Sequence, residues 1–472
     1  MKKNFDLVFY GYLVLPIFIF CFGFLKWYWS LIVGCILIVC IIWGHKDFKV
    51  DRFEILFQNK RMVYKAICIV VVWVLLSGIG GCAFQNYDHG TRTAIYRALV
   101  EYDWPVKSIN DNSGLVYYIG FWLPAACIGK IFGFEVGYKF LYIWAVIGVI
   151  LTYCLICIWR QKVDLLPILF MIFFSGLDYL GMWFLGEGLA DLSEATHLEW
   201  WAVELQYSSI TTQLFWVFNQ AIPAWIATML LLVQKNNRNI FFILGTLMIC
   251  STIPFVGMIP FAIYFIVINI IKDKSTWKDV FSFQNIVGIL VIGGISFLYL
   301  IENHSGNIIE GENERLLIYE PTAQLIRYGI FFTFEIGIYA LIVYRIYKKN
   351  FLYYFVLLNL FICPLIKVGN EHDFCMRASI PALFIFMLLC MQGLEKMREK
   401  FKRSAIVFCV FLLIGAITPF NEIHRSLSET YWRATRGESV RYPESNIESD
   451  ILNANNFSGD IKDSIFFNYI AK

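Results

Sequence analysis

Four groups of polar residues interrupt an otherwise apolar chain, and their types could support chemistry. In the first, Asp88 and then His89 follow directly after an apolar run. A carboxylate in that position can act as a general base or, together with the imidazole, as a ligand for a divalent cation such as Mg²⁺ or Mn²⁺. Asp is also a favoured helix cap, so capping of the helix that follows is the simpler role for Asp88.

Two carboxylates form the second group, because both lie inside apolar runs. Asp178 is close to the end of its run, and Glu335 is nearer the middle of another. An ionisable side chain at membrane depth is costly and usually has a function. We interpret Asp178 as catalytic, with a structural partnership to a neighbouring helix as the alternative. Glu335 has no evident partner in the sequence, and its role stays open.

The third group combines acids, aromatics and amides between residues 184 and 220. A sugar presents apolar C–H faces and many hydroxyls, which suit Trp beside carboxylate and amide groups. An aromatic belt at the membrane interface accounts for the tryptophans equally well, but not for amides at the start of a span, which need partners. The candidate sugar or acceptor residues here are Glu199, Trp200, Gln213, Trp216, Asn219 and Gln220.

The fourth group is the short segment 367–377. Arg377 and Lys367 flank it, and it also contains His372 and Asp373. The planar guanidinium of arginine matches phosphate oxygens, so we expect Arg377 and Lys367 to bind a phosphate, with Arg327 as a further cation at the end of a span. The alternative is an Arg377–Asp373 ion pair across one helical turn. We assign His372 and Asp373 to the acceptor or sugar.

The composition requires a membrane to position these groups. Of 472 residues, 59% are hydrophobic and only 16% are charged, and the mean hydropathy is +0.63. Ordinary globular chains have roughly 45–50% apolar and about 25% charged residues. A net charge of +3 gives no footprint for nucleic acid. The composition excludes a soluble enzyme, a disordered chain and a small disulfide-stabilised protein, and predicts an all-α, polytopic membrane protein in contact with the lipid bilayer.

Thirteen segments are apolar enough to cross the membrane, for which a helix needs about 20 residues. Residues 240–271 form two of them, and we expect a hairpin there that turns near Pro254, because both flanks are basic. The predicted spans are 6–25, 29–44, 66–84, 138–159, 165–183, 214–233, 240–253, 256–271, 280–301, 323–345, 350–366, 377–394 and 404–419.

Orientation follows from the short basic loops, which concentrate on the cytoplasmic side. With thirteen crossings and a cytoplasmic N-terminus, all of these loops lie inside. We therefore expect a multi-pass plasma-membrane protein with a retained first span and a non-cytoplasmic C-terminus. The segments left outside are 85–137, 184–213, 302–322, 367–376 and the tail 420–472.

Three regions follow from this arrangement: a hairpin with a basic loop (1–65), a membrane core (66–419) and an outward-facing polar tail (420–472). In the first outer loop, the spacing of Ile95, Ala98, Leu99 and Tyr102 predicts an amphipathic helix that lies flat on the membrane. We expect 115–133 to dip into the outer leaflet with a kink at Pro124. A true crossing at 115–133 is the alternative, and would reverse every later loop.

This layout resembles the GT-C superfamily of membrane glycosyltransferases, which combine many spans with a large first outer loop that carries a surface helix. Asp88 matches by position the Asp that follows the preceding span in that family. Asp178 resembles the acidic residue near the outer end of a later span, and Arg377 would hold the donor phosphate. The likeness covers residues 66–400, mostly in topology, and implies a donor that is a polyprenyl-phosphate-linked sugar.

Two features depart from that family pattern. The chain has an additional hairpin at 6–44, and His89 rather than a second acid follows Asp88. The expected activity is transfer of a sugar to an envelope glycan, lipid or protein. The alternatives are a transporter or flippase for an envelope lipid or sugar, for which Glu335 speaks, and a non-catalytic envelope-assembly protein.

Overall fold

The structure, a computed structural model, describes residues 6–47, 54–109, 112–185, 197–203, 205–234, 236–303, 322–366 and 373–472. In this part of the chain ten helices are long and apolar enough to cross a membrane. Their bounds are Leu7–Phe24, Trp27–Gly44, Phe134–Arg160, Leu166–Phe184, Ile210–Val233, Thr252–Lys272, Phe283–Leu300, Leu325–Tyr347, Ile380–Lys400 and Lys402–Arg436. The prediction of an all-α polytopic protein is confirmed at this level.

The first half of the chain contains the N-terminal hairpin, the first loop and the central helices. Its helices are α1 (Asp6–Phe24), α2 (Trp27–Asp47), α3 (Glu54–Gln58), α4 (Lys60–Leu76), α5 (Asp88–Glu101), α6 (Leu123–Phe132), α7 (Phe134–Arg160), α8 (Leu166–Phe173), α9 (Asp178–Phe184) and α10 (Ile210–Val233). Short 3₁₀ turns cover Ile119–Trp122 and Leu198–Ala202.

The second half adds α11 (Ile240–Leu247), α12 (Thr252–Lys272), α13 (Phe283–Gly288), α14 (Gly294–Leu300), α15 (Thr322–Phe332), α16 (Ile338–Tyr347), α17 (Phe351–Ile362), α18 (Asp373–Ala378), α19 (Ile380–Lys400), α20 (Lys402–Gly415) and α21 (Ile417–Arg436). The strands β1 (Ser113–Leu115) and β2 (Ser458–Asp460) form one antiparallel pair.

Helices α7, α10 and α19 form the centre of the bundle, because they are the most deeply buried of the candidate spans. α10 packs against both of the others. At Gly148 of α7 a Cβ atom would lie 2.4 Å from Ile222 and 2.4 Å from the hydroxyl of Tyr12, so only glycine permits this approach. Small residues allow such close helix packing inside membranes.

Several spans contain local breaks. Residues 174–177 separate α8 from α9 without helical structure. A π-helical turn at Thr333–Gly337 joins α15 to α16, and another at Ile289–Gly293 joins α13 to α14. Such turns often occur at functional positions. Asp178 follows the break at 174–177 and Glu335 lies in the turn Thr333–Gly337, so that the two carboxyls approach each other inside the bundle.

Ten of the thirteen predicted crossings coincide with the candidate spans. The prediction for 66–84 is wrong at both ends, because α4 covers Lys60–Leu76 and positive φ angles at Gly78, Gly80 and Gly81 then turn the chain. The predictions for 240–253 and 350–366 correspond to helices too short to rank as candidate spans. Thirteen crossings therefore remain a prediction.

The hairpin predicted within 240–271 is present, but it turns earlier than expected. The turn covers 248–251, and Pro254 lies in the first turn of α12. The side-chain amide of Asn269 donates to Asn237 at 2.9 Å, which joins the two flanks at one end of the bundle. Ser251 donates to the carbonyl of Gln220 at 2.7 Å and fixes the turn against α10.

Segment 115–133 is not one kinked helix. The chain passes from β1 through the 3₁₀ turn into α6, and Pro124 lies in the first turn of α6, where its missing N–H costs no hydrogen bond. The prediction of a kink at Pro124 is therefore wrong. α6 folds back against α7 directly after Gly133, whose φ is +92°.

The tail 420–472 folds over the first loop. Its strand β2 pairs with β1, with Ser113 opposite Asp460. Arg97 of α5 bonds Glu444 of the tail at 2.8 Å, and the backbone N–H of Lys26 donates to Ile470 at 3.0 Å. The tail thus connects α5 to the turn between α1 and α2. The predicted helix α5 is present, but its Ile95, Ala98 and Leu99 are buried within the protein, where α5 packs against α6 and the tail.

Candidate functional site

Asp88 is the first residue of α5 and pairs with Arg92 one turn later. Its Oδ2 lies 2.6 Å from Nη2 of Arg92, and the two side chains are 29% and 11% exposed. The N-cap of α5 is Tyr87, with no side-chain capping bond. Asp88 therefore does not cap the helix in the expected way, and its partly exposed carboxylate faces Arg92.

His89 points away from Asp88 into the protein. Its Nε2 lies 3.1 Å from the carbonyl oxygen of Ser77, and its ring stacks on Phe218. Burial, and secondly the charge of Arg92, lower the pKa of His89 to about 3. The imidazole is therefore neutral near pH 7, and it is buried in the core.

The predicted Asp88–His89 metal pair gains no support from this arrangement. Asp88 bonds Arg92 while His89 faces Ser77. In the described residues, no group of three or more His, Cys, Asp or Glu is placed to hold a metal ion. We derive no chemical step through a metal.

Arg377 is held in place by two partners. Its Nη1 donates to the hydroxyl of Tyr118 at 2.9 Å, and its Nη2 lies 3.1 Å from Oδ1 of Asp373. The ion pair that the sequence offered as an alternative is thus present, together with a tyrosine contact that it did not predict. Gln220 of α10 also donates to Tyr118, at 3.0 Å.

Asp88 and Arg377 belong to the same cluster. Asp88 is close enough to contribute to the electrostatic stabilisation of Arg377, and the charge of Arg92 acts on Tyr118 and on its neighbour Tyr117. The two tyrosine hydroxyls bond each other. We call this set the arginine cluster; its members are Asp88, Arg92, Tyr117, Tyr118, Gln220, Asp373 and Arg377.

Three buried atoms of the arginine cluster have no hydrogen-bond partner among the described residues. They are Nη1 of Arg92, Nε of Arg377 and Oε1 of Gln220. Buried polar groups in native proteins are nearly always paired, and leaving a charged donor unpaired is costly. The two guanidinium donors and the amide acceptor therefore suit a ligand that offers both negatively charged oxygens and a hydroxyl.

A break in α10 brings its amides to this position. Ser209 caps the helix by accepting from the N–H of Thr212, and Val217 then departs from helical geometry with φ −137° and ψ 35°. Asn219 and Gln220 follow the break, and the Oδ1 of Asn219 is also buried without a partner in the described part of the chain. The pattern of buried amides at the start of a span thus marks a distorted helix.

Gln213 has a different role from Asn219 and Gln220. Its side-chain nitrogen donates to the carbonyl of Ser208 at 2.9 Å, and its side-chain oxygen accepts from Trp225 at 3.0 Å. Both ends of the amide are used within the protein. Gln213 is fully buried, and both of these contacts hold it within the protein.

A second cluster surrounds Asp178. Its Oδ2 accepts from Ser175 at 3.0 Å and from Thr418 at 2.8 Å, and its Oδ1 accepts from the indole of Trp201 at 3.2 Å. The same indole donates to Oε1 of Glu335 at 3.1 Å. Glu335 is therefore the partner of Asp178 that the sequence did not reveal.

Gly176 makes this pairing possible. A Cβ atom at position 176 would lie 1.7 Å from Oε2 of Glu335, so any other residue would displace the carboxyl. The carboxyl of Glu335 thus occupies the space left by a missing side chain. It also lies within hydrogen-bonding reach of Asp178.

Glu199 lies near this pair in the turn Leu198–Ala202. It accepts from the backbone N–H of Ser209 at 2.8 Å and from Gln206 at 2.9 Å. Burial raises the pKa of Glu199 to about 7, a shift opposed by His197 and reinforced by Asp178. Glu199 therefore changes protonation near neutral pH.

His197 connects Glu199 to α21. Its Nδ1 is 2.9 Å from Glu422, and its Nε2 is 3.6 Å from Glu199. Burial alone would lower the pKa of His197, but the hydrogen bond to Glu422 and the charges of both acids outweigh burial and raise it. Glu422 also pairs with Arg425. We call the set Glu335, Asp178, Glu199, His197, Glu422 and Arg425 the acid chain.

Trp216 lies between the two clusters. Its indole donates to Glu422 at 2.9 Å, and its ring packs against His197 of the acid chain and Tyr87 beside Asp88. Trp200 is half exposed and contacts only the outer side of His197 among the rings described. The predicted aromatic residues therefore lie close to acids, with Trp216 the more central.

Of the other predicted phosphate and acceptor residues, Arg327 does not join either cluster. Arg327 lies on the exposed face of α15. Lys367 and His372 lie outside the described residues. Of the three cations predicted to bind phosphate, the structure places Arg377 in the arginine cluster, where Arg92 accompanies it.

An apolar groove of 670 Å³ opens between α8 and the α20–α21 helix. It is lined by Phe170, Phe174, Leu413, Ile417 and Phe420, among other apolar residues. Phe174 directly precedes Ser175, and Ile417 directly precedes Thr418; both polar residues bond Asp178. The groove therefore lies next to the chain segments that carry Ser175 and Thr418.

Sequence reasoning missed several members of these clusters. Tyr117 and Tyr118 were hidden in an apolar segment, although two adjacent tyrosines there are a usable signal. Glu422 and Arg425 lie just after the last apolar run, and their spacing of three residues is typical of a helical ion pair. Because the sequence assigns both residues to the polar tail 420–472, nothing in it places them beside His197.

Comparison of the chain with protein-family models, curated proteins and solved structures finds no match. The class of the protein therefore follows from the chain itself. Its ten candidate spans define a multi-pass, all-α membrane protein. Its described residues include two buried guanidinium nitrogens without a partner, on Arg92 and Arg377, and a chain of buried acids.

Proposed function

We propose that this protein is a membrane glycosyltransferase. It moves a sugar from a polyprenyl-phosphate donor to a glycan, lipid or protein acceptor of the cell envelope, on the non-cytoplasmic face of the plasma membrane. The single observation that carries the proposal is the pair of unpartnered guanidinium nitrogens, on Arg92 and Arg377, beside Asp88 in the described residues.

The chemistry of transfer fits this arrangement of charges. An acceptor hydroxyl attacks the anomeric carbon, the bond from that carbon to the phosphate oxygen breaks, and polyprenyl phosphate leaves with an additional negative charge. Arginine stabilises such a charge through directed, charge-assisted hydrogen bonds. Nη1 of Arg92 and Nε of Arg377 are the donors available for this role.

Asp88 is the candidate base. Its Oδ2 is bonded to Arg92, while the carboxylate as a whole remains 29% exposed and can receive the proton of the acceptor hydroxyl. Arg92 orients Asp88 through a charge-assisted hydrogen bond, and a phosphate would be oriented by a bond of the same kind. Arg92 thus bonds the base through Nη2 and carries one of the two leaving-group donors, Nη1, so the distance between this donor and Asp88 is fixed.

The protein also has surfaces that suit the sugar and the lipid. The side-chain oxygen of Gln220 is buried and accepts no hydrogen bond from the described residues, so it is suited to a sugar hydroxyl. The apolar groove along α8 and α20 offers a surface of the kind that an isoprenoid chain requires. Neither feature carries the proposal alone.

The test is transfer by the reconstituted protein. Proteoliposomes would receive a panel of short-chain polyprenyl-phosphate sugars, and release of polyprenyl phosphate would be followed by mass spectrometry. We expect release with at least one donor, and its loss in Asp88→Asn at unchanged membrane abundance. Asp103→Asn, an exposed acid of the same loop, is the matched control and should behave as the native protein.

Two outcomes would count against the proposal. Full activity of Asp88→Asn would remove Asp88 from the mechanism. Absence of release with every donor, together with movement of the intact donor between leaflets, would favour the flippase alternative, for which the buried Asp178–Glu335 pair is the supporting observation.

A further inference from the structure

Among the residues that the structure describes, the acid chain contains more buried acids than cations to neutralise them. Asp178, Glu199, Glu335 and Glu422 are each at most 3% exposed, and the charged cation facing them is Arg425, with His197 as the titratable base. Tyr207 and Tyr339 also face Glu335, but tyrosine is neutral near pH 7. Burying uncompensated carboxylates is so costly that such groups bind protons instead.

The pair Asp178–Glu335 gives this argument a specific location. Both carboxyls accept from the one N–H of Trp201, at 3.2 and 3.1 Å, and they lie within hydrogen-bonding reach of each other. Ionised carboxylates only accept hydrogen bonds, so two of them can bond each other only if one is protonated. A bond between these two carboxyls therefore requires a proton.

A water-sized cavity borders Glu335 and two serines whose groups bond Asp178 and Glu199. Its volume is 10 Å³, and its lining includes Ser175, Ser208, Ser209 and Glu335. Ser175 bonds Asp178, and the N–H of Ser209 bonds Glu199. A polar cavity of about this size holds one water if it offers two to four partners. One water here would contact Glu335 and the serines that adjoin Asp178 and Glu199.

A second cavity of the same volume lies at the other end of the acid chain. Its lining includes Asn86, Ser77, Glu422 and Arg425. Asn86 is only 9% exposed, and its Oδ1 has no partner among the described residues. An unpaired buried acceptor beside a charged pair is a position for an ordered water. Between the two cavities, His197 contacts Glu199 and Glu422 on opposite ring nitrogens.

We propose that the acid chain is a proton relay: the Asp178–Glu335 pair binds one exchangeable proton, which passes through Glu199, His197 and Glu422 to the end of the bundle covered by the tail. The relay transfers protons only, and requires no other reactant. It goes beyond glycosyl transfer and does not depend on it. A proton-binding pair inside the bundle gives the protein a means to couple pH to the packing of α9, α16 and α21.

The first test is direct detection of the shared proton. Infrared difference spectra of the purified protein between acidic and alkaline buffer should contain the C=O band of a protonated carboxylic acid, and Glu335→Gln should remove it. Glutamine matches glutamate in size and donates a hydrogen bond to Asp178, so we expect this variant to fold. Glu395→Gln, at the opposite end of the bundle, is the control and should retain the band.

The second test addresses the path. After a rapid change of pH, the band should respond in the native protein, and His197→Gln should slow or abolish that response while the band itself remains. A spectrum of Glu335→Gln identical to that of the native protein would overturn the shared proton. A native response rate in His197→Gln would overturn the path. If Glu335→Gln does not accumulate, Asp178→Asn replaces it, because loss of either carboxyl breaks the same bond.

Discussion

Substitution of Arg377 by lysine separates charge from hydrogen-bonding geometry in the arginine cluster. In the native protein Nη1 bonds Tyr118, Nη2 pairs with Asp373, and Nε is left for a ligand. Lysine keeps the positive charge but has one ammonium group, which cannot serve Tyr118, Asp373 and a phosphate oxygen together. The variant should therefore fold, and lose one charge-assisted bond to the donor.

The magnitude follows from that single bond. A hydrogen bond to a charged group contributes about 1.5–3 kcal/mol, which corresponds to a roughly 10- to 150-fold increase in Kd. We expect this increase for a short-chain polyprenyl phosphate titrated against the protein in nanodiscs. The KM for the acceptor should stay near its native value, because the acceptor contacts Asp88 rather than Arg377 in the proposed arrangement.

Two controls make the result interpretable. Arg398→Lys changes an exposed arginine near the far end of α19 and should leave the Kd unchanged. Arg92→Lys combined with Arg377→Lys should show a coupling energy of about 0.5–3 kcal/mol, as expected for side chains that share one ligand. A native Kd in Arg377→Lys would show that Nε does not bind the phosphate, and would remove the observation that carries the proposed function.

Three further predictions concern stability, each measured as the thermal unfolding midpoint of the solubilised protein. Gly176→Ala should destabilise it by about 1–3 kcal/mol, because the new Cβ would overlap the buried carboxyl of Glu335; an unchanged midpoint would contradict the tight packing there. Between pH 4.5 and about 7, the stability of the protein should fall as pH rises, because folded Glu199 keeps a proton that the unfolded chain releases. Glu199→Gln should flatten this dependence of stability on pH. An equally steep dependence in the variant would contradict the raised pKa of Glu199. Arg441→Gln should cost less than about 1 kcal/mol, because its ion pair with Glu135 is solvent-exposed; a larger loss would mean that the tail depends on this pair.

Much of the fold could be predicted because membrane helices are encoded locally. A long apolar run specifies a span without reference to any other part of the chain. The same holds for α5, whose apolar face follows from the spacing of Ile95, Ala98 and Leu99, and for the Arg377–Asp373 pair one turn apart. Each of these depends on residues within a few positions of one another.

The clusters could not be predicted because their members are distant in the sequence. Asp178 and Glu335 meet only through breaks in two separate spans, and an apolar run does not indicate which helix will lie beside it. The tail illustrates the same limit, since pairing of Ser113 with Asp460 depends on the folding of the whole bundle. The end of α4 was misjudged for a local reason, because three glycines with positive φ interrupt an apolar run.

The arginine cluster and the acid chain would bind different species, an anion and a proton. In the arginine cluster, the unpaired atoms of Arg92 and Arg377 are donors, so an anion completes it. In the acid chain, Trp201 donates to both Asp178 and Glu335, and a bond between these two carboxyls requires a proton. Trp216 lies between the two clusters, because it packs against Tyr87, the neighbour of Asp88, and donates to Glu422 of the acid chain. Anion binding at one cluster and proton binding at the other would therefore act on the same broken end of α10.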